Sequence, residues 1–247
     1  MIPKVIHYCW FGRSALPELA IKCIDSWKRF LPEYEIKEWN EDNFDVNIIP
    51  YTAEAYKAKK YAFVSDYARF WILYHYGGLY FDTDVEVIKD MDNIINNGPF
   101  MGFENKEGVI TKKGDFTNGV NPGLGIGSFS RSPIYKEILD SYNNNHFIKA
   151  DGSYNLFTIV DRTTMILSRY GLSDTNSMQE VAGIFVYPWD FFCPIRTLDG
   201  KMCKTNNTVS IHHFAASWTS PVHRILRKIV LAIGGAKLKT FLAKYYK

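Results

Sequence analysis

Apolar and β-branched side chains crowd the stretch from Ile2 to Trp10 and give way to Phe11-Gly12-Arg13-Ser14, a pattern that predicts a strand followed by a loop. From Pro17 to Phe30 the apolar positions Leu19, Ile21, Ile24 and Trp27 recur at helical spacing, with Pro32 as a stop. Residues 34–39 alternate with period two, a second strand. This β-α-β opening predicts an α/β sheet with mostly parallel pairing. Residues 53–76 read as one helix whose second part, from Ala62 on, is apolar nearly all round, as a buried helix is. Ser65, Asp66, Arg69 and His75 are its clearly polar positions, and Gly77-Gly78 ends it. Leu79-Tyr80-Phe81 then runs as a short strand into Asp82-Thr83-Asp84, with residues 85–88 continuing. Residues 97–131 are rich in glycine and asparagine and predict long loops around short strands, a setting that often carries function. Further on, 133–142 and 154–170 read as helices, and 184–187 and 209–213 as strands.

Composition narrows the class without naming a chemistry. A chain of 247 residues with 47% hydrophobic content suits one large domain with at most small appendages. Modest glycine and proline exclude collagen-like and disordered classes. No run of eighteen apolar residues predicts a membrane span. The start, Met1 to His7, lacks the regions of a signal peptide, so a cytoplasmic location is expected. The four cysteines, Cys9, Cys23, Cys193 and Cys203, have no metal-type spacing and are expected to be small buried hydrophobes. Charge is informative only when divided. Residues 222–247 hold seven basic residues and no acid, while the rest has 22 basic and 26 acidic residues, net −4. An acidic body with a basic tail points to an anionic surface meeting the tail and away from nucleic acid.

Three groups of residues carry chemistry. Asp82 and Asp84, two apart at the end of a buried strand, would be costly there unless solvated or relieved by a cation. A divalent ion with oxygen ligands relieves that cost, and a nucleotide diphosphate supplies further ligands. Asp66 and Arg69 stand three apart on one helix face. They are either a buried ion pair, or a guanidinium aimed at a phosphate with a carboxylate aimed at a sugar hydroxyl. The third group is His212-His213-Phe214-Ala215-Ala216-Ser217-Trp218, where a histidine completes a cation site or is a satisfied core residue. The Ser217 hydroxyl and the Trp218 indole N–H are donors suited to a diphosphate.

Four blocks of the chain together resemble the DXD sugar-binding glycosyltransferases: residues 2–12, Ser65-Asp66-Tyr67-Ala68-Arg69, residues 74–84 with Asp82-Thr83-Asp84, and His212-His213-Phe214 with Ser217-Trp218. These are the family 32 enzymes of capsular polysaccharide and lipopolysaccharide synthesis and of yeast mannosylation; the catalytic domain of large glucosylating toxins is a more distant likeness. The resemblance implies a GT-A type α/β fold, a single mixed-sheet domain over residues 1–221 followed by C-terminal helices. It also implies Mn²⁺ or Mg²⁺, a nucleotide-sugar donor of the UDP-sugar kind, and transfer with retention to a glycan or lipid-linked glycan acceptor. By motif, Trp10 would stack on the nucleobase, Asp66 would touch donor hydroxyls, and Arg69 the diphosphate or donor sugar. Asp82 would bridge ribose and metal, Asp84 would ligate the metal, and Ser217 and Trp218 would hold the diphosphate. His213 is the favoured third ligand, since relatives place a ligand before an aromatic residue; a shift of one residue gives His212. Asn121, Asp151 and Glu180 stand in loop positions open to a catalytic nucleophile. The alternative function is a non-catalytic nucleotide-sugar or glycan-binding module on the same fold.

The tail, 222–247, reads as basic amphipathic helices broken at Gly234-Gly235. One reading packs them on the body; the preferred one lays their apolar arcs in a lipid boundary and their lysines and arginines on anionic headgroups. A peripheral location on the inner face of the cell membrane is the resulting expectation.

Overall fold

The computed structural model of the protein describes residues 1–109 and 116–215. Its strands are β1 (Val5–Cys9), β2 (Glu35–Trp39), β3 (Gly78–Tyr80), β4 (Val85–Val87), β5 (Phe100–Gly102), β6 (Ile126–Ser128), β7 (Gln179–Val181), β8 (Ile184–Tyr187) and β9 (Ser210–His212). The helices are α1 (Glu18–Phe30), α2 (Pro50–Lys57), α3 (Tyr61–Tyr76), α4 (Asp92–Asn97), α5 (Pro133–Asp140), α6 (Ile159–Ser168) and α7 (Trp189–Phe192). Seven strands form one sheet in the order β2-β1-β3-β6-β5-β8-β7, and β4 pairs with β9 in a separate ribbon. The class is α/β, as expected, but the pairing is evenly mixed. β1 runs parallel to β2 and β3, and β5 to β8, whereas β6 and β7 pair antiparallel to their neighbours. The β1-α1-β2 opening is the parallel part that the sequence makes visible.

Two helix expectations change. Residues 53–76 are not one helix: α2 ends at Ala58, Lys59 takes a left-handed φ of 57°, and the Lys60 N–H donates to Ala55 O at 2.8 Å. That bond, reaching back five residues past a left-handed one, closes a Schellman-type end that periodicity cannot show. The second correction is at 154–170, where α6 begins only at Ile159. Thr158 caps it by accepting from Asp161 N–H, while Tyr154 is bridged to Ile148 and Asn155 N–H donates to Phe147 O. Tyr154 and Asn155 close a hairpin instead, and Phe157 N–H donates back to Asn155 Oδ1.

The core runs as one cluster of buried residues from Ile2 to Val209. Buried α3 packs against β1, β3 and α5, which is why its sequence is apolar nearly all round. Gly78, at φ 100°, is required twice over: a Cβ there would stand 2.6 Å from Val5 O and 3.1 Å from the His7 ring. His7 itself is a satisfied core histidine, bonded to Gly77 O at 3.0 Å and accepting from Trp39 Nε1 at 3.1 Å. Burial lowers its pKa to about 4, so it stays neutral.

Trp27 links this core to the segment after β3. It is fully buried, its ring lies against Tyr8 and Phe81, and its indole N–H donates to Val85 O at 2.7 Å. Val85 N–H in turn donates to Asp82 O at 3.0 Å, so the Asp82–Asp84 turn is held from both sides. Trp27→Ala is therefore expected to cost about 3–5 kcal/mol of unfolding free energy, the range for emptying a large core site. Urea denaturation checks it; a loss below about 1 kcal/mol would show that this anchor contributes little.

Candidate functional site

The chain reaches the site along two routes. The buried strand β3 delivers Asp82 to its open end, and the antiparallel ladder of β4 with β9 places His212 opposite Val85. His213 N–H donates to Asp84 O at 3.0 Å, extending the ladder by one rung. Successive residues of an extended strand point to opposite faces. His212 therefore faces the carboxylates, its Nε2 lying 3.1 Å from Asp84 Oδ1. His213 turns the other way and meets Glu86 Oε2 at 2.8 Å, beside the Lys22–Glu86 ion pair. The favoured His213 is thus replaced by His212, and the pleat of the strand is the reason.

Ligand atoms from Asp82, Asp84 and His212 all lie within 4.8 Å of one another. Asp84 is held further by the Ala215 N–H, which donates to Oδ2 at 2.7 Å. Burial alone would raise the Asp84 pKa, but the His212 charge, its hydrogen bond and that N–H bring it down to about 2. Burial pushes His212 the other way, toward neutrality, yet the Asp84 and Asp82 carboxylates outweigh it and hold its pKa above the ordinary histidine value. His212 Nδ1 is buried with no partner among the described residues. Two carboxylates and an imidazole form an oxygen–nitrogen set that suits a divalent cation such as Mn²⁺ or Mg²⁺.

Arg69 stands behind this group with 4% of its side chain exposed. Its Nη2 donates to Asp66 Oδ1 at 2.9 Å and lies 3.2 Å from Asp82 Oδ1, Nε donates to Ser65 O at 3.2 Å, and the guanidinium sits 5.1 Å from the Tyr80 ring centre. Both readings of this pair meet here, because the ion pair forms and its members also line the cavity. One guanidinium is shared by two carboxylates, so burial prevails on each: Asp66 is raised to about 7, and Asp82 is raised as well. Gly123 closes the group from the far side, where a Cβ would come within 2.4 Å of Asp82 Oδ2.

These residues open into a cavity of about 520 Å³ whose walls include Trp10, Asp66, Arg69, Asp82, Asp84 and His212. Trp10 is half-buried, its indole N–H donating to Ser14 O at 2.6 Å. Of the loop residues open to a nucleophile role, Asn121 lines the cavity; Asp151 serves a surface turn by accepting from Ser153, and Glu180 is exposed on β7. Ser217 and Trp218 lie outside the described residues. Sequence reasoning passed over Glu104, which also lines the cavity. Its Oε1 accepts from Asn121 Nδ2 at 2.7 Å, and Lys106 Nζ is 3.2 Å from Oε2. A readable signal existed, since Glu104 follows β5 as Asp82 follows β3.

Residues 17–101 match the family described as "Glycosyltransferase sugar-binding region containing DXD motif". The matches converge on glycosyltransferases. An uncharacterised glycosyltransferase of Acanthamoeba polyphaga mimivirus is 26% identical over 222 residues, covering 83% of this chain and 82% of the viral protein. Inositol phosphoceramide mannosyltransferase 1 of Schizosaccharomyces pombe is 29% identical over 111 residues, 40% of this chain. That match spans 33% of the yeast protein, about a third of its length. Among solved structures, the PaToxG glycosyltransferase is similar with a TM-score of 0.49 and 21% identity, covering 68% of this chain and 69% of its own.

Replacing His212 by Ala is expected to weaken Mn²⁺ binding at least about tenfold, since losing even a partner that only orients a ligand costs that much, whereas His213→Ala leaves it unchanged. Calorimetric titration with MnCl₂ decides between them, and the opposite ranking would return the ligand to His213. The same titration carries a pH sign. A cation must displace the proton that the carboxylates hold on His212, so Mn²⁺ affinity should rise as pH rises through the raised His212 pKa; a flat profile would remove His212 from the ligand set.

Proposed function

We propose that the protein is a metal-dependent glycosyltransferase that moves a hexose from a nucleotide-diphospho-sugar, a UDP-sugar in the first instance, to an acceptor hydroxyl. The observation that carries this reading is the meeting of Asp82, Asp84 and His212 in one cavity with Trp10, Asp66 and Arg69. The DXD family match over residues 17–101 and the glycosyltransferase relatives support it. Retention at the anomeric carbon and a GT-A type donor site belong to the same proposal.

Asp82, Asp84 and His212 would hold a divalent cation, which would supply positive charge to the diphosphate as it leaves, usually the largest single contribution to such a reaction. Arg69 fixes Asp66 and Asp82 relative to one another, so the donor meets a surface whose geometry is set before it binds. Asp66, with Oδ1 held by Arg69, lines the cavity and offers its carboxyl group to donor hydroxyls. Trp10 presents a half-buried ring on which a nucleobase stacks. Glu104, oriented by Asn121 and Lys106, places a carboxylate in the cavity for a hydroxyl of donor or acceptor.

The acceptor is a glycan or a lipid-linked glycan. Surface polysaccharide is one such setting, and the yeast relative, named for inositol phosphoceramide, supports a lipid headgroup as another. The basic tail is proposed to hold the protein at the inner face of a membrane, although residues 222–247 lie outside the described residues.

Asp84→Ala is expected to abolish sugar transfer and hydrolysis of a UDP-sugar with Mn²⁺ present. Wild-type rates in this variant after chelation and readdition of metal would defeat the metal role, and a wild-type protein that binds donor without hydrolysing or transferring it would be the binding module instead. Trp10→Ala is expected to weaken donor binding by about 1–3 kcal/mol, the range for one stacked base, with little change in melting temperature. A large stability loss with normal affinity would make Trp10 a core residue only.

A further inference from the structure

Large apolar side chains exposed singly are ordinary on a protein surface, and most of those here are single. Four fall within ten residues: Ile148, Tyr154, Leu156 and Phe157, with Leu156 61% exposed. They belong to the hairpin closed by the Ile148–Tyr154 bridge and to the short segment that joins it to α6. Their bases are fixed from below. Buried Phe147 stacks on Tyr154 at 5.0 Å and meets Phe63 at 4.9 Å, and Phe157 lies 5.3 Å from the Arg162 guanidinium. The apolar tips are therefore presented by a packed support, and a cluster of this kind marks an interaction surface.

Its rim is basic. Lys149 is exposed in the same hairpin, and the turn between α2 and α3 brings exposed Lys57 and Lys59, with Lys60 Nζ 5.5 Å from the Tyr154 ring centre. The turn and the hairpin are joined by Glu54, which accepts from Ile148 N–H at 2.9 Å and pairs with His146 at 2.6 Å. Two acids stand on the same edge, Asp151 accepting from Ser153 near Lys149 and Asp161 accepting from the Thr158 hydroxyl, and against them the rim sets four lysines. Apolar tips within a basic rim match the two layers of an anionic lipid surface, acyl boundary and headgroup.

We propose that this edge, Ile148, Tyr154, Leu156 and Phe157 with Lys57, Lys59, Lys60 and Lys149, seats the protein on an anionic bilayer. The chain runs directly from Phe157 into Thr158, Ile159 and Val160, which line the cavity. A bilayer at this edge therefore lies beside the cavity wall, where the headgroup of a membrane-borne acceptor would be presented. Seating on lipid does not depend on the glycosyltransferase reading and stands even if no sugar is transferred.

The test is flotation of the full chain with phosphatidylcholine vesicles, with and without about 30% phosphatidylserine, the anionic component. The protein should bind the anionic vesicles at low salt and be released as salt screens the rim. Leu156→Ser with Phe157→Ser should lower the partition coefficient about tenfold or more. Lys57→Gln and Lys149→Gln should each lower it about fivefold, and only on the anionic vesicles. Melting temperatures should match the wild type, as these side chains are exposed; if the apolar pair unfolds the chain, the lysine variants decide. Wild-type partitioning in all variants would overturn the proposal, leaving binding to the tail or the edge to a protein partner, and so would a wild-type chain that ignores anionic vesicles.

Discussion

Asp66, Asp82 and Asp84 face one cavity, and among the described residues Arg69 and His212 are the cations in direct contact with them. This shortage of positive charge is the constraint on which the rest of the site depends. Arg69 is nearly inaccessible and divides its guanidinium between two carboxylates, so burial raises the pKa of both. His212 is drawn toward its charged form by Asp84 and Asp82. A divalent cation held by Asp82, Asp84 and His212 would supply the missing positive charge. The fold serves this arrangement. The core holds α3 and with it Arg69, Gly78 lets β3 lie against β1, and Trp27 fixes the carbonyl that follows the acidic turn.

The chemistry was legible where it coincided with local pattern. Asp82-Thr83-Asp84 stands between an apolar strand and its continuation, and Asp66 with Arg69 interrupts an otherwise apolar helix; both signals survive in one dimension because each lies inside a single element. The histidine was not legible in that way. Which of His212 and His213 faces the carboxylates depends on how β9 registers against β4, a partner more than a hundred residues away. A shift of one residue reverses every side chain in a strand. Asn121 was visible as a loop candidate but Glu104 was not, since their relation to Asp82 and Arg69 comes from β5 and the loop before β6 returning to the same cavity.

Secondary structure followed the same division. The opening strand, helix and strand carry clean periodicities and lie where the pattern puts them. The break between α2 and α3 rests on a left-handed Lys59, a residue type with no preference for that conformation. The late start of α6 rests on a hairpin contact between Ile148 and Tyr154. At the first place a local capping bond from Lys60 to Ala55 ends the helical period, and at the second the hairpin's hydrogen bonds override it. Those same two irregularities build the exposed edge beside the cavity, so the places where local pattern fails are also where the surface acquires an interaction face.

Everything in the site turns on whether the acidic cavity needs a cation to accept a nucleotide diphosphate. The direct measurement is calorimetric titration of the wild-type protein with UDP, first in chelator and then with Mn²⁺ in excess. The predicted result is at least about a hundredfold tighter binding with the metal, about 2.7 kcal/mol, because the acidic lining by itself offers the diphosphate too little positive charge. Equal affinity in the two titrations would contradict it.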